Sequence, residues 1–323
     1  PTLETAITAA KSKPNSTVKL LADATTADTV EVSSGTFTID LNGHTWTAAK
    51  TIHIKSGADI TLKDGASGGT LQRESGALFW IKTTSMQTAA KLTIESGTYK
   101  GNGIINVNNT LDSPRSGSVI NILGGDFFYV GTYSGLAGMY FQNATINISG
   151  GKMQGLAFIF KNADIELSGG EFGSIQNMDA NVSLSSFLKS GYGYRTVDNR
   201  TPDDGKWVNQ VEGAASHVND LAHTSFTYKT RVEKLPLKII NQPTNPESVA
   251  YGYTSAPEAR MYAERTDAAP SGSTVMYRLW KVKSGTETVD TPIGDADFSN
   301  SKTLPTGLPT GEHSFYIAAE CDG

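Results

Sequence analysis

The fold is decided by a phrase that reads INISGGKM at residues 146–153 and recurs three more times along the chain. The other copies are LTIESGTY at 92–99, INILGGDF at 120–127 and IELSGGEF at 165–172. In each copy two aliphatic residues alternate with polar ones, which predicts a strand with one buried face. A glycine follows the second aliphatic and marks a sharp bend. Such a unit cannot bury its inner face alone, so the copies must stack.

The repeats predict an all-β fold, a right-handed parallel β-helix, over about residues 17–195. Looser copies at 37–43, 52–57 and 60–65 extend the pattern toward the N-terminus, and 182–184 is the expected last rung. Adjacent strands lie about 4.8 Å apart, so roughly eight rungs make a rod about 35–40 Å long. The second aliphatics of the four phrases are expected to stack in one interior column: Ile94, Ile122, Ile148 and Leu167.

Both ends of such a stack need covering, because an open end exposes apolar side chains and unpaired strand edges. Residues 3–11 are predicted to form a capping helix at the N-terminal end, stopped by Pro14. The β-helix with this cap is assigned to residues 1–197. Residues 198–236 are assigned to a C-terminal cap and linker.

From residue 237 the pattern changes to alternating segments with the spacing of a β-sandwich. The strand candidates are 260–264, 274–283 and 313–320, and Trp280 lies where an immunoglobulin-type sandwich buries a tryptophan. Residues 237–323 are therefore assigned to an Ig-like β-sandwich. A seven-stranded sandwich would normally have one more strand after the last of these segments, so we expect the domain to be truncated at the end of the chain.

Composition excludes several classes of function. The formal net charge is −5, so the chain has no electrostatic signature of a nucleic-acid or anionic-membrane partner. No apolar run approaches the roughly 20 residues that a membrane-spanning helix requires. Cys321 is the only cysteine, which excludes an intrachain disulfide. His217 and His223 do not have the spacing of a helical ligand pair, and no glycine loop precedes a helix, so we predict no metal and no cofactor.

Several motifs carry a resemblance to known families. VKLLAD at 18–23, DLNGHT at 40–45 and the Gly-Gly-x-Phe rungs resemble the pectate-lyase-like β-helix modules of bacterial cell-surface proteins. FLKSGY at 187–192 is similar to the way those modules end. YGY at 251–253 and YRLW at 277–280 resemble the bacterial Ig-like modules that often follow. The resemblance implies an extracellular or cell-surface location in a bacterium and a role as adhesin, glycan binder, spacer or, occasionally, enzyme.

A lyase of the pectate type would need stacked acidic ligands for calcium on one outer sheet. In the outward positions of the repeated strand Glu95 is followed by Leu123, and no two carboxylates are adjacent on neighbouring rungs. A glycosidase needs two carboxylates about 5–10 Å apart, for which Asp40, Asp64 and Asp112 are the candidates. We predict no catalytic residues, and keep a polysaccharide lyase or glycoside hydrolase as the alternative.

Insertions at 83–90 and 108–118 follow equivalent strands and should stack on one side of the rod, with a third at 128–138. Aromatic side chains there would offer a flat platform to a sugar ring or a protein surface. Alternatively, Phe79 and Trp80 alternate across their strand and only one is exposed. The candidates for one aromatic and polar binding patch are Trp80, Asp112, Arg115, Tyr129 and Tyr133.

Together these features predict a non-catalytic, adhesin-like binding module of the bacterial cell surface or a secreted protein. Its partner would be a glycan or a host extracellular protein, recognised through lateral loops of the β-helix. A structural stalk is a further alternative, because a rigid rod followed by an Ig-like unit also suits a spacer.

Overall fold

The computed structural model describes residues 1–83, 88–108, 117–130, 138–177, 184–189 and 191–196, and the strand segments 225–226, 230–234, 237–241, 258–260, 262–265, 275–284, 287–297, 301–303 and 313–321. These residues form mostly strands. The chain divides into two compact units. The N-terminal unit contains residues 1–189 and 193–233, and the C-terminal unit contains residues 190–192 and 234–323.

The first element is the helix α1, Leu3–Ala10. The hydroxyl of Thr2 accepts a hydrogen bond from the backbone N–H of Thr5 at 3.3 Å, which satisfies one of the free donors at the helix start. Ile7 is buried, and the helix contacts the first two strands of the unit. The predicted helix is confirmed, although it ends one residue earlier than expected. Its role as a cap remains a prediction.

The following strands repeat in sets of three, so that each turn of the chain, here called a coil, adds one strand to each of three columns. The first column contains β1 (Ser16–Lys19), β4 (Gly35–Asp40), β7 (Ala58–Lys63), β10 (Lys91–Ile94), β13 (Ser118–Ile122), β16 (Ala144–Ile148) and β18 (Asp164–Leu167). The second contains β2 (Ala24–Thr26), β5 (Thr45–Ala48), β8 (Thr70–Gln72), β11 (Thr98–Gly101) and β14 (Asp126–Tyr129). The third contains β3 (Glu31–Val32), β6 (Ile52–Lys55), β9 (Phe79–Lys82), β12 (Ile105–Asn108) and β15 (Gly138–Gln142). Two long strands continue both the second and the third columns: β17 (Lys152–Lys161) and β19 (Glu171–Asn177).

One stack of aliphatic side chains runs through the interior of the first column. The parallel register pairs Ile94 with Ile122, Ile122 with Ile148, and Ile148 with Leu167. All four side chains are at most 1% exposed. The predicted interior column is therefore confirmed, and so is the all-β class for the described residues. The parallel stacking is the arrangement of a parallel β-solenoid, whose handedness remains a prediction.

Two of the looser repeats lie elsewhere than predicted. Ile52–Lys55 forms β6 of the third column rather than a further rung of the repeated strand. Alternation marks which side chains point inward, but it does not distinguish one column from another. Leu184, expected in the last rung, begins a 3-10 helix, Leu184–Phe187. It is Leu188 that pairs in parallel with Leu167, and residues 182 and 183 lie outside the described part of the chain.

The Gly-Gly pairs turn the chain from the first column into the second. Gly125 and Gly151 have φ angles of 97° and 89°, a backbone conformation that favours residues without a Cβ. The preceding glycine has a different reason, since a Cβ on Gly150 would overlap the carbonyl oxygen of Leu123 in the neighbouring coil. Each pair is thus required both by the bend and by the close approach of successive coils.

Aromatic side chains fill the interior of the second column. The rings of Tyr99 and Phe127 stack with centroids 5.1 Å apart and planes 18° apart. The hydroxyl of Tyr99 donates a hydrogen bond to the carbonyl oxygen of Ser96 at 2.8 Å. Burial raises the pKa of Tyr99, so its hydroxyl keeps the proton that this bond requires. The buried polar tip of the tyrosine is therefore satisfied.

The last coil is extended by strands that run in the opposite direction. The strands β21 (Ser225–Phe226) and β22 (Thr230–Lys234) pair antiparallel with β19, and β20 (Tyr192–Thr196) pairs with β22. The hydroxyl of Tyr194 donates a hydrogen bond to the carbonyl oxygen of Leu184 at 2.8 Å. Most of the predicted C-terminal cap and linker lies outside the described residues, so that assignment stays a prediction.

The C-terminal unit contains only antiparallel strand pairs among its described residues. These pairs are β23 (Leu237–Asn241) with β25 (Tyr262–Arg265), β24 (Glu258–Arg260) with β28 (Ser301–Thr303), and β26 (Val275–Ser284) with both β27 (Glu287–Asp297) and β29 (His313–Cys321). The predicted strand 260–264 is divided between β24 and β25, whereas 274–283 and 313–320 match β26 and β29 closely. The side-chain surroundings of Trp280 lie outside the described part, and the Ig-like sandwich remains a prediction.

Candidate functional site

The outer side of the third column carries a combination of aromatic and long polar side chains, and we call it the third-column face. Two outward positions continue from coil to coil along it. The first row, called the aromatic row, contains Glu31, His53, Trp80, Asn106 and Tyr140. The second row, called the lysine row, includes Lys55, Lys82, Gln142 and Lys161.

Trp80 is the most exposed aromatic side chain of this face. Its neighbours in β9, Phe79 and Ile81, are buried, whereas Trp80 is 40% exposed. Its ring meets the ring of His53 edge-on, with centroids 4.8 Å apart and planes 89° apart. Only one residue of the Phe79–Trp80 pair is therefore exposed. The histidine of the preceding coil fixes the orientation of the exposed indole.

His53 is held between the indole and an ion pair. Burial lowers the pKa of His53, and the positive charge of Lys55 lowers it further, while Glu31 acts in the opposite direction. Lys55 Nζ lies 2.5 Å from a carboxylate oxygen of Glu31, and this hydrogen bond lowers the pKa of Glu31. At neutral pH the imidazole is therefore uncharged and has one donor and one acceptor nitrogen.

Asn106 and Tyr140 continue the aromatic row beyond Trp80. The side-chain oxygen of Asn106 is shielded from solvent and has no hydrogen-bond partner. The hydroxyl of Tyr140 donates a hydrogen bond to Gln142 at 2.8 Å, and burial raises its pKa. The phenol ring is thus fixed on one side, while the amide beside it leaves part of its hydrogen-bonding capacity unused.

The lysine row places two lysines at facing positions of neighbouring strands. Lys55 and Lys82 are register partners on neighbouring parallel strands, which lie about 4.8 Å apart. Like charges directly opposite on neighbouring strands destabilise a sheet. The pair with Glu31 offsets the charge of Lys55, and among the described residues Lys82 has no ion-pair partner.

The five residues predicted for a binding patch are only partly placed. Trp80 lies on the third-column face, and the register Trp80–Asn106 confirms that β9 and β12 are equivalent strands. Tyr129 ends β14 in the second column, half-buried beside Gly101. The other three lie outside the described residues, so their place in one patch stays a prediction: Asp112, Arg115 and Tyr133.

The sequence prediction missed His53, Tyr140 and the two facing lysines. The signal was present in the sequence, because His53 and Trp80 each stand between two apolar residues, which the structure buries. Recognising the match required the segment 52–55 to be placed in the third column, next to 79–82. Tyr140 was harder to find, since the inserted segment before β15 conceals the coil spacing.

Two of the three carboxylates considered for a glycosidase hold the corner turns. Asp40 accepts hydrogen bonds from the backbone N–H groups of Asn42 at 2.9 Å and Gly65 at 2.7 Å. Asp64 accepts two backbone hydrogen bonds at 2.7 Å in the same way. Their oxygens therefore already stabilise the turns between the first and second columns. Asp112 lies outside the described residues.

An open groove of about 470 Å³ runs along this corner, from Asp64 to Lys152. Its floor contains Gly97, Gly125 and Gly151. A Cβ on any of these glycines would meet atoms of the interior or of the neighbouring turn. The close packing of the corner therefore explains why glycine occupies these positions. The presence of these glycines in the groove is not evidence for a bound ligand.

The described residues contain no group of three or more histidine, cysteine, aspartate or glutamate side chains that could hold a metal ion. None of their helices has the length and apolar character needed to cross a membrane.

Comparison with known proteins gives no relative for this chain. No family model, no curated protein and no solved structure matches it.

Proposed function

We propose that this chain is a non-catalytic binding module and that its ligand, a glycan, is bound by the third-column face. The observation that carries the proposal is the exposed indole of Trp80, held edge-on by the half-buried ring of His53. Aromatic rings give a sugar a flat apolar surface at a low cost in side-chain entropy. Because the rings stand on paired strands rather than on free loops, the surface is fixed before the ligand arrives.

The predicted loop residues belong to segments that adjoin the strands of this face in the sequence. The segments 84–87 and 109–116 directly follow the third-column strands β9 and β12. We propose that Asp112 and Arg115 contribute to its rim from the second of these segments, that Tyr129 does so from the end of β14, and that Tyr133 does so from the connection before β15. Replacing both Arg115 and Tyr133 by alanine should then weaken binding by about 1–3 kcal/mol while changing stability by less than about 1 kcal/mol.

The wider assignments are part of the same proposal. We propose a right-handed parallel β-helix capped by α1, followed by an Ig-like sandwich, in a secreted or cell-surface protein of a bacterium. The burial of Ile7 against the first coil supports the cap, and the antiparallel set β27–β26–β29 supports the sandwich. The resemblance to pectate-lyase-like modules supports the location.

A glycan array tests the binding function directly. The labelled protein should bind a restricted group of glycans, and Trp80→Ala should weaken that binding by about 30-fold, as loss of an aromatic anchor does. Tyr316→Ala is the matched control, because Tyr316 is an aromatic side chain of the C-terminal unit with the same exposure, 40%. This variant should bind like the parent.

Other outcomes point to other functions. Binding that survives Trp80→Ala but disappears with Tyr316→Ala would move the site to the C-terminal unit. Binding to host proteins but to no glycan would leave an adhesin with a protein ligand. Release of shortened oligosaccharides from a bound polymer would favour the enzyme, and the absence of any ligand would favour the stalk.

A further inference from the structure

We propose that the third-column face selects an anionic glycan, whose carboxylate or sulfate groups meet the lysine row while its sugar rings lie on the aromatic row. This inference rests on the proposed glycan-binding function and adds the chemical class of the ligand. It comes from the register of side chains on β6, β9 and β17, not from the overall charge of the chain.

The lysine row contains a pair of lysines at facing positions. Lys55 and Lys82 stand directly opposite each other on neighbouring strands. The ammonium group of Lys55 is paired with Glu31 of the preceding coil, so Lys82 is the lysine of this pair whose charge stays uncompensated among the described residues. An anion bound beside Lys82 would supply the partner that Glu31 supplies to Lys55. The arrangement is therefore complementary to a negatively charged ligand.

The charge of this face also differs from that of the whole molecule. The chain carries a net charge of −5, yet Glu31 is the only carboxylate among the two described outward rows of the third column. Lys161, three coils beyond Lys82, adds a further exposed positive charge to the same row. Positive charge is thus concentrated beside the exposed aromatic rings, although acidic residues predominate overall.

The two rows also define the direction of the bound chain. Both rows run along the stacking axis, with one residue of each per coil and a rise of about 4.8 Å. From Lys82 to Lys161 the distance along the axis is then about 14 Å. A polymer lying along the axis meets both rows at every coil, whereas one wrapped around a coil meets each row once. We therefore expect the glycan to lie along the stacking axis.

Three polymers with one backbone provide the test: dextran, carboxymethyl-dextran and dextran sulfate of equal length. The intact protein should bind one or both charged polymers at least about 10-fold more tightly than dextran, as measured by calorimetry. Preference for the carboxymethyl or the sulfate form identifies the anion. The affinity should fall as salt is raised, because surface ion pairs are screened.

Matched variants distinguish specific binding at the third-column face from general electrostatic attraction of the protein to a polyanion. Lys82→Gln and Trp80→Ala should each weaken binding of the preferred polymer by about 5-fold or more. Lys91→Gln removes an exposed lysine from the first column and should change the affinity by less than about 2-fold. Equal losses for Lys82→Gln and Lys91→Gln, with none for Trp80→Ala, would overturn the proposal.

The polymer series tests the anionic ligand and the glycan array tests the binding function, so either proposal can be rejected without the other. If the array shows Trp80-dependent binding of neutral glycans and the charged dextrans bind no better than dextran, the anionic ligand is wrong and the binding function stands. If charged and neutral polymers all fail to bind, the anionic ligand is again excluded, and the array alone decides the function.

Discussion

The outer faces of the first and third columns share one backbone plan but use their outward side chains differently. On the first column, the amide of Asn121 donates to the hydroxyl of Thr93 at 3.1 Å, and the amide of Asn147 donates to Asn121 at 2.9 Å. The polar groups of successive coils therefore satisfy one another. On the third column, Asn106 has an acceptor without a partner, and Lys82 faces another lysine.

This difference separates a face whose outward polar groups satisfy one another from a face that keeps unsatisfied groups, within one repeat. A ladder of side-chain hydrogen bonds between coils adds to stability and leaves few groups for a ligand. A row with an unmet acceptor and facing like charges costs stability in the free protein. Such costs are characteristic of binding sites. The aromatic rings of the third column then supply the contact area that the first column lacks.

The largest expected effect comes from breaking the interior that both faces share. Ile148→Asp would place a carboxylate at a position that is 1% exposed, in the middle of the aliphatic stack. A buried, unpaired charge should lower the free energy of unfolding by about 4 kcal/mol or more. Urea denaturation would measure it. Ser149→Asp, at the next and exposed position, is the control and should change stability by less than about 1 kcal/mol.

Equal denaturation midpoints for these two variants would show that the alternation of inward and outward positions is wrong. Loss of both glycan binding and stability in Ile148→Asp is expected, since the third-column face depends on the same stack.

The next largest effect is expected at the corner glycines. Gly150→Ala would bring a Cβ against the carbonyl oxygen of Leu123 in the preceding coil, so the two coils must move apart. We expect a loss of about 2–4 kcal/mol, similar to that of other steric insertions into packed structure. Ser149→Ala, beside it, should be nearly neutral. A thermal melt that is unchanged by Gly150→Ala would mean that the coils are less closely stacked than described.

The sequence predicts the stacking of coils better than the position of each strand around a coil. Ile94, Ile122 and Ile148 could be aligned because a glycine follows each at a fixed distance and fixes the register. The segment 52–55 has the same alternation and the same glycine spacing, with Gly57 three residues after Ile54, so these two signals placed it in the wrong column. It differs from the four phrases only in Asp59, which stands where they have a large apolar residue. The hairpin partner β27 escaped prediction because Pro292 and Gly294 interrupt its alternation.

The site was predicted only as far as one exposed aromatic residue. Trp80 could be identified because a tryptophan between two buried apolar residues must point outward on a half-buried strand. Its partners come from neighbouring coils, and their register depends on insertions of unequal length. For the same reason the facing lysines, Lys55 and Lys82, are separated in sequence and adjacent in space.

A direct comparison of the two faces replaces one asparagine on each by valine, which suits a strand. Asn121→Val should cost about 1–2 kcal/mol, because it removes two hydrogen bonds and leaves the amide of Asn147 without its acceptor. Asn106→Val removes an acceptor that has no partner, so stability should stay equal or rise by up to about 1 kcal/mol. The same urea midpoints would measure both. A larger loss for Asn106→Val than for Asn121→Val would reverse the assignment of the two faces.

The smallest effect is expected in the titration of His53, and it tests whether Trp80 shields the imidazole. Burial is the main cause that lowers the pKa of His53 below its ordinary value of 6.5, and the indole ring covers it at 4.8 Å. Because the folded state binds its proton less readily than the unfolded state, this histidine contributes stability above about pH 6.5 that is lost as the pH falls below that value. Trp80→Ala should therefore raise the pKa of His53 and weaken this pH dependence. Nuclear magnetic resonance titration of the imidazole would measure the shift, with Tyr140→Phe, two coils away, as the control. A pKa unchanged by Trp80→Ala would show that the indole neither covers nor orients His53, and the rigid aromatic row on which the glycan proposal depends would lose its main support.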